Sequence, residues 1–154
     1  MRKLILLYKL SGIEPLKNYI AGLYMEIIDM KVREEYDIII PVPSDPGRKK
    51  VFEPVTEIAC VISRLSGVEV SLGNLIKKKT TGKQSSLNYT QRLKNLNGAF
   101  RINYPEKLKG KRVLLIDDVY TTGTTINKCS IMLKKYTSAV YAVTLARSSN
   151  INLQ

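Results

Sequence analysis

Apolar residues recur at three- and four-residue steps between Glu14 and Met30, at Leu16, Ile20, Leu23, Ile27 and Met30. That spacing lines one face of an α-helix. The run Asp37-Ile38-Ile39-Ile40-Pro41-Val42-Pro43 follows, apolar without alternation and stopped by proline. It predicts a strand buried on both faces, as in a parallel sheet. Residues 53 to 66 return to the helical period with Val55, Ile58, Ala59, Ile62 and Leu65, and Gly67 stands where a helix favours a C-terminal glycine. Val68 to Val70 is long enough for a short strand only. Val113-Leu114-Leu115-Ile116 is a second continuous apolar strand, Ile126 to Tyr136 a third helix and Ala139 to Leu145 an alternating strand. Strands separated by helices imply βαβ units and a parallel sheet, hence an α/β fold. The pattern leaves Lys3 to Leu10 open between strand and helix.

Residues 74 to 111 interrupt this regularity. They hold ten Lys or Arg and one acid, Glu106, so a quarter of the chain carries +9 of a total of +12. Within them Lys79-Thr80-Thr81-Gly82-Lys83-Gln84-Ser85-Ser86 has the composition of a mobile loop, and Tyr89 to Leu96 suits a short helix. Such a charge balance points to a polyanionic partner: nucleic acid, a membrane surface or a phosphorylated small molecule.

Length and composition bound the rest. At 154 residues the chain reads as a single domain, residues 1–154, with no internal repeat or linker. It contains no histidine, which removes a Ser-His-Asp triad and any His-ligated metal site. Cys60 and Cys129 lie in helical patterns far apart, so neither a zinc ribbon nor a disulfide framework is expected, and a cytoplasmic setting is. The opening Met1 to Tyr8 imitates a signal peptide, but Lys9 ends the apolar run too early, and no stretch approaches a membrane span. The nine tyrosines, interleaved with lysines, suit half-burial at a surface or stacking on single-stranded bases.

The chemically informative string is Val113-Leu114-Leu115-Ile116-Asp117-Asp118-Val119-Tyr120-Thr121-Thr122-Gly123-Thr124-Thr125. In open α/β sheets ligands bind beyond the carboxyl ends of the strands. Here a strand ends in two carboxylates, and a small-residue turn then opens a helix. Gly123 permits a tight turn, four threonines add hydroxyl donors, and the helix N-terminus makes a phosphate cradle. Acceptors suited to a diol, beside an anion cup, describe a ribose 5-phosphate. The plainer account makes Thr124 a helix cap and the two acids a strand end. It leaves the other three hydroxyls unexplained. The string is not a Walker A motif, because its lysine and glycine spacing are missing.

Asp117 to Thr125 resembles the phosphoribosyl pyrophosphate (PRPP) signature of type I phosphoribosyltransferases. The wider chain is similar to the ComF family of competence-associated proteins. That likeness includes Asp37 to Pro43, Lys79-Thr80 with Gln84, Leu87 and Arg92, Asn95, Gly98-Ala99-Phe100, and Thr144-Leu145-Ala146-Arg147. The resemblance implies a type I phosphoribosyltransferase fold, a central parallel sheet flanked by helices, with a hood and flexible loop over about residues 74–104. It implies that Asp117 and Asp118 hydrogen-bond the ribose hydroxyls and form the catalytic pair. Thr121, Thr122, Gly123, Thr124 and Thr125 would hold the 5-phosphate. Pro43, Ser44 and Asp45, with Lys83 and Arg92, would serve the pyrophosphate side, where Lys77, Lys78 and Lys79 are further candidates. Mg²⁺ would arrive with PRPP rather than in a protein cage.

Two departures stand out. The four-cysteine zinc module that opens longer ComF proteins has no counterpart here. Lys50-Val51-Phe52-Glu53-Pro54 replaces an Arg-Gly-Phe-Asn-Gln-like stretch, so Arg48, Lys49 and Lys50 either substitute at the pyrophosphate or form a solvated basic loop. The resemblance carries three readings of function: a Mg²⁺-dependent transferase moving a phosphoribosyl group to a nitrogen acceptor, a competence protein binding single-stranded DNA, and a nucleobase-salvage transferase. The partners expected are PRPP, that acceptor and single-stranded DNA, with a homodimer open as the assembly.

Overall fold

A computed structural model describes residues 1–31, 36–46, 52–78 and 98–147. The stretch left open, Lys3 to Leu10, is helical: α1 spans Arg2–Ser11 and ends on Gly12 in the left-handed conformation. Five apolar residues alternate with nothing polar, so period could not decide; burial of Ile5 and Tyr8 on one helical face does, Tyr8 packing into the core that the next two helices share. Helix α2 covers Glu14–Lys31, β1 Ile38–Pro41 and α3 Pro54–Ser66. Gly67 terminates α3 with φ 73°, as its position predicts.

The central sheet has the order β1-β4-β5, all parallel, with β4 over Arg112–Tyr120 and β5 over Ala139–Arg147. Ile38 to Pro41 pair with Val113 to Ile116, two runs lacking alternation because helices or other elements cover both faces. Val70 makes a single parallel bridge to Ile39 on the outer edge, which is all that forms of the short strand expected at 68–70. Helix α4, Thr124–Leu133, connects β4 to β5. A bidentate clamp from the Arg112 guanidinium to the Asp37 carboxylate ties the starts of β1 and β4 together.

Two apolar layers sandwich this sheet. One joins Tyr8, Ile20, Tyr24, Ile28, Ile58 and Ile62 to Ile39, Leu114 and Ile116 on the side of α1, α2 and α3. The other joins Ile126, Cys129 and Leu133 of α4 to Ile38, Ile40, Val113 and Leu115. Against the second layer lies a small antiparallel pair, β2 (Leu75–Lys77) with β3 (Phe100–Ile102), at the two ends of the segment expected as a hood. The expected loop 79–86 and helix 89–96 lie outside the described residues, as do Arg48, Lys49 and Lys50.

Helix phases differ from expectation in detail. Met30, Leu65 and Ile131 are exposed, while Tyr8, Tyr24 and Tyr36 are buried core residues rather than surface tyrosines. The buried face of α2 runs through Ile20, Ala21, Tyr24 and Ile28, a step away from the purely aliphatic stripe. A tyrosine can take a core position when its hydroxyl finds a partner, and that of Tyr24 does. No helix among the described residues is long and apolar enough to cross a membrane.

The phase of α3 is directly testable. Ile62→Ala, fully buried, should lose about 2–4 kcal/mol in chemical denaturation, whereas Leu65→Gln should stay within roughly 0.5 kcal/mol of wild type. Equal losses would show the helix rotated.

Candidate functional site

The strand that carries the paired acids is longer than its apolar run. β4 continues through Asp117, Asp118 and Val119 to Tyr120, because β5 keeps pace with it: Asp117 pairs with Thr144, Val119 with Ala146 and Tyr120 with Arg147. The carboxylates therefore sit on rigid sheet just short of its carboxyl edge, and the turn begins at Thr121. Asp117 Oδ1 accepts the Asp118 N–H at 3.0 Å, and the Tyr24 hydroxyl donates to the Asp117 carbonyl at 2.5 Å. Asp118 forms an ion pair with Lys9 of α1.

This placement sets the electrostatics. Burial, reinforced by the neighbouring Asp118 charge, pushes the Asp117 carboxyl up to about 7. The Asp118 N–H and Lys9 pull the other way without cancelling that rise. Near neutral pH the pair thus carries fewer than two full charges. The Tyr24 phenol is held well above its ordinary range, chiefly by burial and then by both aspartates. Cys129, packed under the same strand, is a buried core thiol pushed far up by desolvation, whereas Cys60 of α3 is only partly buried.

The turn itself is built around Gly123, which precedes α4 with φ 71°. A Cβ at this position would overlap the Tyr120 hydroxyl, so both backbone conformation and space demand glycine. Thr124 is not the cap; it is the first helical residue, nearly buried, and its hydroxyl lies 2.7 Å from that of Thr122. Thr121 is exposed and Thr125 half-buried. Gly123 caps α4 with no side-chain hydrogen bond. The structure therefore brings Asp117, Asp118 and Thr121 to Thr125 together at one edge of the sheet.

Pro43, Ser44 and Asp45 follow β1 directly, on the neighbouring strand's carboxyl end. Ser44 donates to Glu53 at 2.8 Å, and Asp45 forms an ion pair with Lys77 of β2 at 3.1 Å. Lys77, a candidate pyrophosphate clamp, instead ties the antiparallel pair to this turn. A cavity of about 180 Å³ lies between them, lined by Pro43, Ser44, Glu53, Thr56 and Leu75 among others. Lys83 and Arg92, like Lys79, lie outside the described residues. Sequence reasoning missed Lys9 and Tyr24. Their contacts with Asp118 and Asp117 span long stretches of chain and carry no local motif.

Comparison with known proteins agrees with this geometry. A family model described as phosphoribosyl transferase domain matches residues 52–150. Competence protein F of Haemophilus influenzae is 32% identical over 73% of this chain and 52% of its own length. Competence protein ComFC of Streptococcus pneumoniae is 30% identical over 83% of this chain and 54% of its own. The chain thus spans about half the length of these curated relatives. Among solved structures, adenine phosphoribosyltransferase from Saccharomyces cerevisiae aligns with a TM-score of 0.57 at 10% identity, over 89% of this chain and 71% of that one, a likeness of fold.

The raised Asp117 makes a pH prediction. An unfolded aspartate ionises near 3.8 and the folded one near 7, so the folded state loses stability as pH climbs through that window and stays at the lower level above it. Asp117→Asn keeps the oxygen that accepts the Asp118 N–H and removes the cost. Its Tm should exceed wild type by roughly 3 °C or more at pH 8 and match it at pH 3.5. A variant that is less stable at pH 8 would contradict the assignment.

Proposed function

We propose, on the footing that this chain belongs to the phosphoribosyl transferase domain family, that it binds PRPP at the carboxyl edge of β4 and transfers the 5-phosphoribosyl group to a nitrogen acceptor. The observation that carries the reading is the juxtaposition of a half-buried carboxylate pair with a glycine turn at the start of α4. Asp117 and Asp118 accept hydrogen bonds from the ribose 2′- and 3′-hydroxyls. The N–H groups and hydroxyls of Thr121 to Thr125 hold the 5-phosphate at the positive end of the helix. Pro43 to Asp45 flank the pyrophosphate side, with Lys83 and Arg92 of the intervening segment proposed to reach it.

The chemistry asked of the protein is positioning and charge. As pyrophosphate leaves the anomeric carbon, positive charge develops on the ribose, and the carboxylates beside it favour that charge. No side-chain nucleophile is needed, which suits a chain without histidine. Among the described residues no three potential metal-ligating side chains gather. Two adjacent carboxylates, one engaged by Lys9, make a poor cage but a fair contact for a hydrated ion. Mg²⁺ would arrive with PRPP, with Asp117 and Asp118 as the protein groups able to contact it, and would supply charge neutralisation for the leaving pyrophosphate.

A second reading, handling of single-stranded DNA, is favoured by similarity to two proteins named for competence and by a basic excess larger than one PRPP can use. It requires binding of single strands that weakens steeply with salt.

Thermal shift tests the first reading. PRPP with Mg²⁺ at a hundredfold excess over Kd adds about 2.7 kcal/mol and should raise Tm by several degrees. Asp118→Asn should weaken PRPP roughly ten- to a hundredfold and shrink that shift. No shift at millimolar ligand would overturn it. Oligonucleotide binding that ignores ionic strength would count against the second.

A further inference from the structure

The proposed phosphate cup has donors but no cation of its own: Asp117 to Thr125 contains two acids and neither Lys nor Arg. A sugar 5-phosphate brings close to two negative charges to it. The parallel register supplies a cation from the next strand. Arg147, the last residue of β5, stands opposite Tyr120, the last of β4, and its guanidinium lies 5.6 Å from the Tyr120 ring centroid, over the ring. The other end of that ring, the phenol, rests against Gly123 in the middle of the turn. Tyr120 therefore touches the turn at its phenol end and carries the Arg147 guanidinium over its ring, so one side chain links Arg147 to the cup.

Arg147 is exposed and has no carboxylate partner among the described residues. Residues 148–154 contain no acid either. A guanidinium stacked on an aromatic face keeps its N–H edge free for a phosphate, and that edge can engage two oxygens at once. Resting on the reading of Thr121 to Thr125 as a 5-phosphate cup, we infer that Arg147, positioned by Tyr120, is the cation that binds the 5-phosphate. The site then selects sugars phosphorylated at the 5-position over unphosphorylated ones. The plain alternative is a surface cation–π contact, worth about 0.5–1 kcal/mol to the fold and nothing to a ligand.

Titration calorimetry of the full chain separates the two. The probes are PRPP with Mg²⁺, ribose 5-phosphate, and pyrophosphate with Mg²⁺. Arg147→Gln should weaken PRPP and ribose 5-phosphate by the same factor, roughly ten- to thirtyfold, and leave pyrophosphate unchanged. Arg147→Lys should recover part of the loss. Tyr120→Phe keeps the ring and should stay within about twofold of wild type, whereas Tyr120→Leu should follow Arg147→Gln. Wild-type affinity for ribose 5-phosphate in Arg147→Gln overturns the inference and leaves the proposed function standing. So does a loss confined to pyrophosphate. Failure of the wild type to bind PRPP or ribose 5-phosphate overturns both.

Discussion

Two carboxylates on consecutive residues, held against a protein interior, repel each other and lose hydration. That conflict at Asp117 and Asp118 organises this end of the molecule. Lys9 relieves one charge, the Asp118 N–H supports the other carboxylate, and the Tyr24 hydroxyl satisfies the carbonyl between them. These groups come from α1, α2 and β4, so the acids can be held in place only when both N-terminal helices are packed on the sheet. Even so, Asp117 is left with its carboxyl near 7. A fold that keeps such a group retains a cost that stability alone would remove, which is the usual mark of a functional position.

The sheet provides the rigidity this requires. β4 is central, paired on both sides, and β5 follows it as far as Arg147. The acids are thus fixed by strand hydrogen bonding and not by a loop, while the adjoining turn is fixed by Gly123 and the Tyr120 ring above it. The site is preorganised on one side by backbone. On the other side Lys77 and Asp45 couple the small antiparallel pair to the turn after β1.

Much of this architecture is legible in the residues. The apolar runs at Ile38 to Ile40 and Val113 to Ile116 read as doubly buried strands because Pro41 and Asp117-Asp118 bound them, and the structure pairs them in parallel; that they are direct neighbours is a finding of the structure. Asp117, Asp118 and Gly123 are visible because their chemistry is local and contiguous. What was illegible is long-range. A five-residue apolar run is equally strand or helix, so α1 needed its packing partners to declare it. The buried stripe of α2 passes through Tyr24, whose role depends on a carbonyl 93 residues away. Lys9 looked like the end of an apolar run, and only the folded chain shows it on Asp118.

The central claim is that PRPP occupies the carboxyl edge of β4 and β5. Amide chemical-shift mapping during titration with PRPP and Mg²⁺ tests it most directly. The account predicts saturable changes concentrated at Asp117 to Thr125 and at Arg147, with smaller ones at Ser44 and Asp45. Changes confined to the lysine-rich surface at 107–111 and 134–135, or no saturable change at millimolar ligand, would contradict it.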